Sequence, residues 1–354
     1  MKSKIELLAI ALVTAMLTAC GGGGSTPTAS TTTPPVGVNP APTPAPTPAP
    51  APASTPVDVV TSVPAPTYPT NSNEYAFFTA LNAFRASQGL GLYTQNAKLD
   101  LSSKNHAAYL GKYASYNPGG TIDIAALNTT TGLLEGHSEH MDFAGSTGAT
   151  PLDRAVNTMY ASDYVAEEVS NGSAAVSLAG LINTVYHRYG MMEQIQREIG
   201  LAFVPDAVTT SVVTVSTQTG VTKQNVPDNF TAAYPSDKAT GIQLVTDLEA
   251  PNPYTDITYA DYGTKTSSPI SFASKQFTTL AVTSFTVTEA GQTTPLPVRL
   301  LTKSTNADTQ HYLGGNVAFI AGYAPFKSKT VYNVVFIGTV NGTPVSKAWS
   351  FTTA

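Results

Sequence analysis

Apolar residues recur at intervals of three and four through Tyr75, Phe77, Phe78, Leu81 and Phe84, the spacing that gathers side chains on one face of a helix. Asn71 and Glu74 precede them at capping-box spacing, and Gly89 supplies a stop. A second helical pattern covers 98–113, with Leu99, Leu101, Ala107, Ala108 and Leu110 apolar and His106 among them. Thr150-Pro151-Leu152-Asp153 joins a cap, an N1 proline and a first-turn acid, which opens a third helix through Ala155, Val156 and Met159. A fourth is predicted from Ser173 through Val176, Leu178, Leu181, Ile182, Val185 and Tyr186 into His187. The period then changes. Ile199, Leu201 and Phe203, followed by Val213 and Val215, alternate as strands do, so an antiparallel sheet closes this module near Gly220. Helices first and strands afterwards predict an α+β layered domain over 73–220.

The stretch 221–255 is rich in Pro, Asp, Asn and Thr and reads as a connector. From 256 to 354 the pattern is all β. Residues 277–287 alternate, 317–320 is short and apolar, and Tyr332, Val334 and Phe336 share one face. Asn341-Gly342 then forms a two-residue hairpin turn before Val345, Ala348, Trp349 and Phe351. About a hundred residues of this kind suit a β-sandwich of immunoglobulin-like type without a disulfide, and the closing Trp349-Ser350-Phe351 resembles the last strand of bacterial modules of that type.

The N-terminal pattern is of another kind. Lys2 and Lys4 precede an apolar run from Leu7 to Leu17, too short for the roughly 20 residues of a bilayer-crossing helix. Residues 1–19 therefore read as an export signal. Leu17-Thr18-Ala19-Cys20 resembles the bacterial lipobox, in which the Cys sulfur is acylated and becomes the new N-terminus. Cys20 is the chain's only cysteine, so neither an internal disulfide nor a cysteine-based zinc site is available. After it, 20–72 is built from Gly, Thr, Ala and Pro with no aromatic residue before Tyr68. Such a segment buries too little apolar area to offset its ordering entropy, and it is expected to be a disordered, polyproline-biased stalk. At about 3.1 Å per residue it holds a domain on the order of 150 Å from the lipid. Eighteen Lys and Arg against 23 Asp and Glu give a net charge of −5 without a basic cluster. Nucleic acid is excluded as a partner, because binding it requires a row of cations facing phosphates.

Four of the five histidines, His106, His137, His140 and His187, lie in the first module. His137-Ser138-Glu139-His140 comes close to metal-ligand spacing but fits no HExxH or HxxEH pattern. Glu167-Glu168 beside Asn171-Gly172 reads as a solvated turn, and His187 at the end of an apolar helix reads more readily as a partly buried packing residue than as a ligand. No Gly-x-Ser-x-Gly elbow, P-loop or dinucleotide fingerprint is present.

Taken in order, several short stretches resemble the CAP superfamily, the cysteine-rich secretory, antigen 5 and pathogenesis-related group, in a cysteine-free bacterial form. They are Leu81-Asn82-Ala83-Phe84-Arg85, Gly136-His137-Ser138-Glu139, Pro151-Leu152-Asp153-Arg154-Ala155, Ala166-Glu167-Glu168-Val169, Tyr186-His187-Arg188 and Glu198-Ile199-Gly200-Leu201. The resemblance implies an α/β/α sandwich in which His137, Glu167 and His187 converge on one cleft. Ala166 replaces the family's glycine, and Asn183 and Thr184 stand where a second family glutamate is expected. Glu139 or His140 is left to complete a ligand set for a divalent cation such as zinc. The leading expectation is a lipoprotein of the bacterial cell envelope, on the outer membrane or cell surface, that binds a small apolar ligand, an envelope component or a divalent metal in this cleft. A metal-assisted hydrolase of peptide or cell wall, with Glu167 as general base, is the alternative. A surface adhesin using the β-sandwich is the third.

The lipid anchor is testable directly. Changing Cys20 to Ser should move the protein from the detergent phase to the aqueous phase on temperature-induced partitioning, since a lone 11-residue apolar run holds no bilayer. Retention in the detergent phase would place the anchor elsewhere.

Overall fold

Ser72 rather than Asn71 starts the first helix, its hydroxyl accepting from the Tyr75 N–H at 3.1 Å. The computed structural model describes residues 56–117, 119–205, 213–220, 223–305 and 312–354. Cys20, the export signal and the stalk up to 55 lie outside the described residues. Helix α1 spans Asn73–Ser87, and Gly89 follows at φ 69°, where it lets Leu90 N–H turn back to the Arg85 carbonyl. Strand β1 is Thr94–Gln95, and α2 (Ala97–Tyr113) is capped by Asn96. Helix α3 (Pro151–Asn157) begins at the predicted Thr150 cap, where Thr150 and Asp153 form a reciprocal capping box.

Strand β2 (Val165–Asn171) occupies the stretch expected as a turn. Beyond it, the single helix expected over 173–187 is two, α4 (Ala174–Ile182) and α5 (Tyr186–Met191). The break has a local cause. Asn183 Nδ2 donates to Gln243, the Val245 carbonyl and Asp247 at 2.8–2.9 Å, and Thr246 and Asp247 donate to its carbonyl. A loop from further along the chain thus takes the partners that a continuing helix would have used.

Strands β3 (Glu198–Pro205) and β4 (Val213–Gly220) complete the first sheet, in the order β1-β3-β4-β2. It is antiparallel except for β1 alongside β3. Helices cover both faces. Phe77, Leu81, Leu178 and Leu181 pack with Ile199 and Leu201 on one side, and Leu99 and Ala155 pack with Val165 on the other. Gly200 permits the second layer, because a Cβ there would stand 2.0 Å from the Leu99 carbonyl carbon. The segment before α1, expected as stalk through 72, lies against this module from Val59 to Tyr68. Val63 and Tyr68 join its core, and the Val60 carbonyl accepts from Leu92 N–H.

The expected connector contributes two strands, β5 (Thr231–Tyr234) and β6 (Ala239–Ile242). Four residues each are too short for their alternation to register in the sequence. After the short α6 (Tyr262–Lys265) follow β7 (Ile270–Ser274), β8 (Leu280–Glu289), β9 (Val298–Thr302), β10 (Val317–Gly322), β11 (Val331–Val340) and β12 (Thr343–Thr353). They form two four-stranded sheets, β5-β7-β10-β9 and β6-β12-β11-β8. Phe272 of the first stacks on Phe336 of the second with ring centres 3.9 Å apart, in a core with Ile320, Val334 and Phe351. The predicted Asn341-Gly342 turn joins β11 to β12, both residues at positive φ.

Strands β7 and β10 are buried at every position, unlike a sheet with one wet face. Ala318 and Ile320 face the sandwich core, whereas Val317, Phe319 and Ala321 face Val185 and Tyr186 at the start of α5. Arg188, fully buried, donates to the Pro269 carbonyl at 2.7 Å and lies over the Tyr234 ring. The helical and β halves therefore share a core, and Ala53–Ala354 forms one compact unit.

Candidate functional site

Neighbouring residues of a strand point to opposite faces, and Glu167 and Glu168 on β2 do so into two different electrostatic settings. Glu167 turns toward α2 and α3. Both its oxygens accept from Arg154 Nη2, at 2.7 and 2.8 Å, and Oε2 lies 3.1 Å from His137 Nδ1 and 3.5 Å from His106 Nε2. His106 is enclosed, with Nδ1 3.0 Å from Glu139 and Nε2 2.9 Å from the Gly136 carbonyl. Glu139 in turn accepts from Thr147 N–H at 2.5 Å. Burial alone raises a carboxyl pKa. Here Arg154, His106 and His137 overcome it and hold Glu167 far below the usual carboxylate range. Glu139 is lowered likewise, the His106 hydrogen bond and charge outweighing burial.

Glu168 turns toward α5. Gly190 makes room for it, since a Cβ there would sit 1.8 Å from Glu168 Oε1. His187 lies between two carboxylates, with Nε2 3.9 Å from Glu168 and Nδ1 3.3 Å from Glu249. Glu249 also accepts from the N–H groups of Val185 and Tyr186 at 2.6 and 2.8 Å, placing its charge at the start of α5. Burial, then the charges of Glu249 and Glu167, push the Glu168 carboxyl up to about 8 against the opposing pull of His187. Burial works against a charged His187, but its bond to Glu249 and the charges of both carboxylates raise its pKa above the ordinary imidazole value.

Between these walls opens a cavity of about 440 Å³, onto which His137, Glu167, Glu168 and His187 face. A second hollow of about 560 Å³ shares His137 and His187 and runs out between Val176, Leu181 and Leu248. The three residues paired by the CAP resemblance thus border one space. The two candidates for a fourth ligand do not. Glu139 is buried behind the wall on His106, and His140 turns away to Glu135 at 2.9 Å and stacks on Phe143. Arg154 and Glu249 were not legible as site residues. Arg154 enters the sequence reading only as part of the family-like stretch after Pro151, with no role of its own, and Glu249 lies in a stretch that reads as connector.

This donor set makes a poor zinc site. The guanidinium of Arg154 already occupies both oxygens of Glu167, so a dication there would meet a buried positive charge. Among the described residues no group of three or more His, Cys, Asp or Glu side chains is placed to hold a metal. No helix among them is long and apolar enough to cross a membrane.

No family model and no curated protein matches the sequence. Among solved structures, 44% of this chain is similar to 96% of an outer surface protein from Borrelia burgdorferi, at 14% identity and a TM-score of 0.31. A further 14%-identical match, with a TM-score of 0.29, relates 44% of this chain to 44% of an extracellular protein containing an SCP domain from Bacillus anthracis str. Ames.

The buried pair yields a stability test. Arg154→Leu leaves the Glu167 charge without its guanidinium, and the unfolding free energy should fall by about 3–5 kcal/mol. Adding Glu167→Gln should recover more than half of the loss. Urea unfolding of the three proteins measures this, and a single-variant loss below about 1 kcal/mol would mean that the pair behaves as an exposed one.

Proposed function

We propose that this protein is a lipid-anchored, extracytoplasmic binding module of the CAP type, carried on the bacterial envelope by acylated Cys20 and a Pro/Thr/Ala stalk. The cavity between β2 and α5 is its ligand site. The observation that carries the reading is that His137, Glu167 and His187, far apart in sequence, border one open cavity of about 440 Å³. Ordered family-like motifs support the CAP assignment, and helices on both faces of one sheet agree with it. The β half is an immunoglobulin-like sandwich that buttresses α5, a reading supported by its two four-stranded sheets and by Phe319 packing near Tyr186.

The hydrolase alternative with Glu167 as its general base is disfavoured for a chemical reason. A general base works best with a pKa near the operating pH, and Glu167 is held far below that by Arg154. It takes up a proton reluctantly and serves better as a fixed charge.

Native mass spectrometry of the full-length protein, extracted from its own membranes in mild detergent, tests this reading. A small-molecule adduct should accompany the wild type, leave on denaturation and be lost or reduced at least tenfold in His187→Ala. An adduct retained equally by the variant would place ligand binding away from this cavity.

A further inference from the structure

The cavity at α5 has an aromatic wall that the His/Glu reading does not use. Tyr164, Tyr186, Tyr189 and Tyr312 all line it. Tyr186 and Tyr312 meet with ring centres 5.5 Å apart and planes at 57°, so the two rings form a corner rather than a flat stack. Tyr164 is half exposed. Tyr189 is held by its surroundings, since a Cβ on Gly314 would stand 2.2 Å from its hydroxyl. The apolar remainder includes Leu134, Leu152, Pro151 and Pro251.

Apart from the tyrosines, the titratable groups lining the same space are mostly carboxyls. Glu167, Glu168 and Glu193 reach it against two imidazoles, His137 and His187, and the described lining includes no Lys or Arg. Arg154 stands behind Glu167 and offsets that carboxylate. Glu249 stands behind His187 and adds a further negative charge. The charge of the buried Arg85 acts on Glu193 as that of Arg154 does on Glu167, so four carboxyl groups stand against two guanidinium groups and two imidazoles around a space walled by tyrosine rings. Burial raises the Glu193 carboxyl, and burial followed by the charges of Glu193 and Glu168 raises the Tyr164 phenol. The Tyr164 shift reports two carboxyl groups close to its hydroxyl.

We propose that the ligand of this cavity is an organic cation, an ammonium or quaternary ammonium group on a small apolar body, held against the tyrosine rings with Glu168 and Glu193 nearby. The inference rests on the reading of the cavity as a small-molecule site and narrows it to one chemical class. Ring faces attract a cation through their quadrupole, and this attraction grows when the site is partly dry. A hydrated inorganic ion is a poorer occupant, because it would exchange its water for ring faces and would leave the leucine and proline surface unused. A sugar also stacks on tyrosine, but it gains nothing from a carboxyl group placed beside the rings.

Choline and its uncharged carbon isostere, 3,3-dimethylbutan-1-ol, have nearly the same shape and separate charge from fit. Both are titrated calorimetrically into the full-length protein in detergent, at low and at high salt. Choline should bind at least tenfold more tightly than the isostere, which corresponds to about 1.4 kcal/mol. Its affinity should weaken as salt is added. Tyr189→Leu and Glu193→Gln should each reduce choline affinity several-fold, while circular dichroism checks that each variant keeps the wild-type fold. Equal binding of the two probes, or tighter binding of the isostere, would overturn the cation assignment and leave the small-molecule reading standing. Absence of binding by both up to tens of millimolar would also overturn it, and the adduct carried from the native membrane would then test the cavity separately. Choline affinity unchanged in both variants would place the cation elsewhere on the protein.

Discussion

One buried carboxylate, Glu249, joins the two halves of this protein at the cavity. Its side chain is wholly enclosed, a placement that costs several kcal/mol unless hydrogen bonds replace the lost water. The N–H groups of Val185, Tyr186 and His187 supply them, together with the His187 ring. The start of α5 is thereby fixed, and its successive residues go to different work. Tyr186 and Arg188 enter the shared core with the β half, while His187 and Gly190 shape the cavity. If the segment carrying Glu249 moved, both the interdomain packing and the position of His187 would move with it.

Two adjacent glutamates show how environment rather than residue type assigns a role. Glu167 faces a buried guanidinium and is held as a fixed anion, whereas Glu168, on the other face of the same strand, is pushed up to about 8. The first favours structure and the second leaves a group that exchanges protons near neutral pH. The sign for stability follows. An unfolded glutamate loses its proton near 4.3, whereas native Glu168 keeps it to about 8, so the native state binds more protons between those values. This group's contribution to stability therefore declines as pH rises through that window.

Much of the helical module and the last hairpin of the β half were legible because their signals are local. The Thr150 to Asp153 cap, the face of Phe77 and Leu81, and the Asn341-Gly342 turn each depend on residues a few positions apart. The short strands β5 and β6, the edge strand carrying Glu167 and the break at Asn183 depend instead on partners tens of positions away. Alternation fails as a signal in β10 because both faces are covered, and a run that reads only as short and apolar is the trace this leaves. The pairing of His137, Glu167 and His187 came from resemblance rather than from spacing. Arg154 and Glu249 escaped because a charged residue in sequence carries no mark of being buried.

The central claim is that Glu249 completes the site by holding and charging His187. An NMR titration of the His187 ring in the wild type and in Glu249→Gln tests it most directly. The account predicts a wild-type midpoint above the ordinary imidazole value of about 6.5, falling clearly when Glu249 loses its charge. A midpoint at or below the ordinary value, or one unmoved by the substitution, would contradict it.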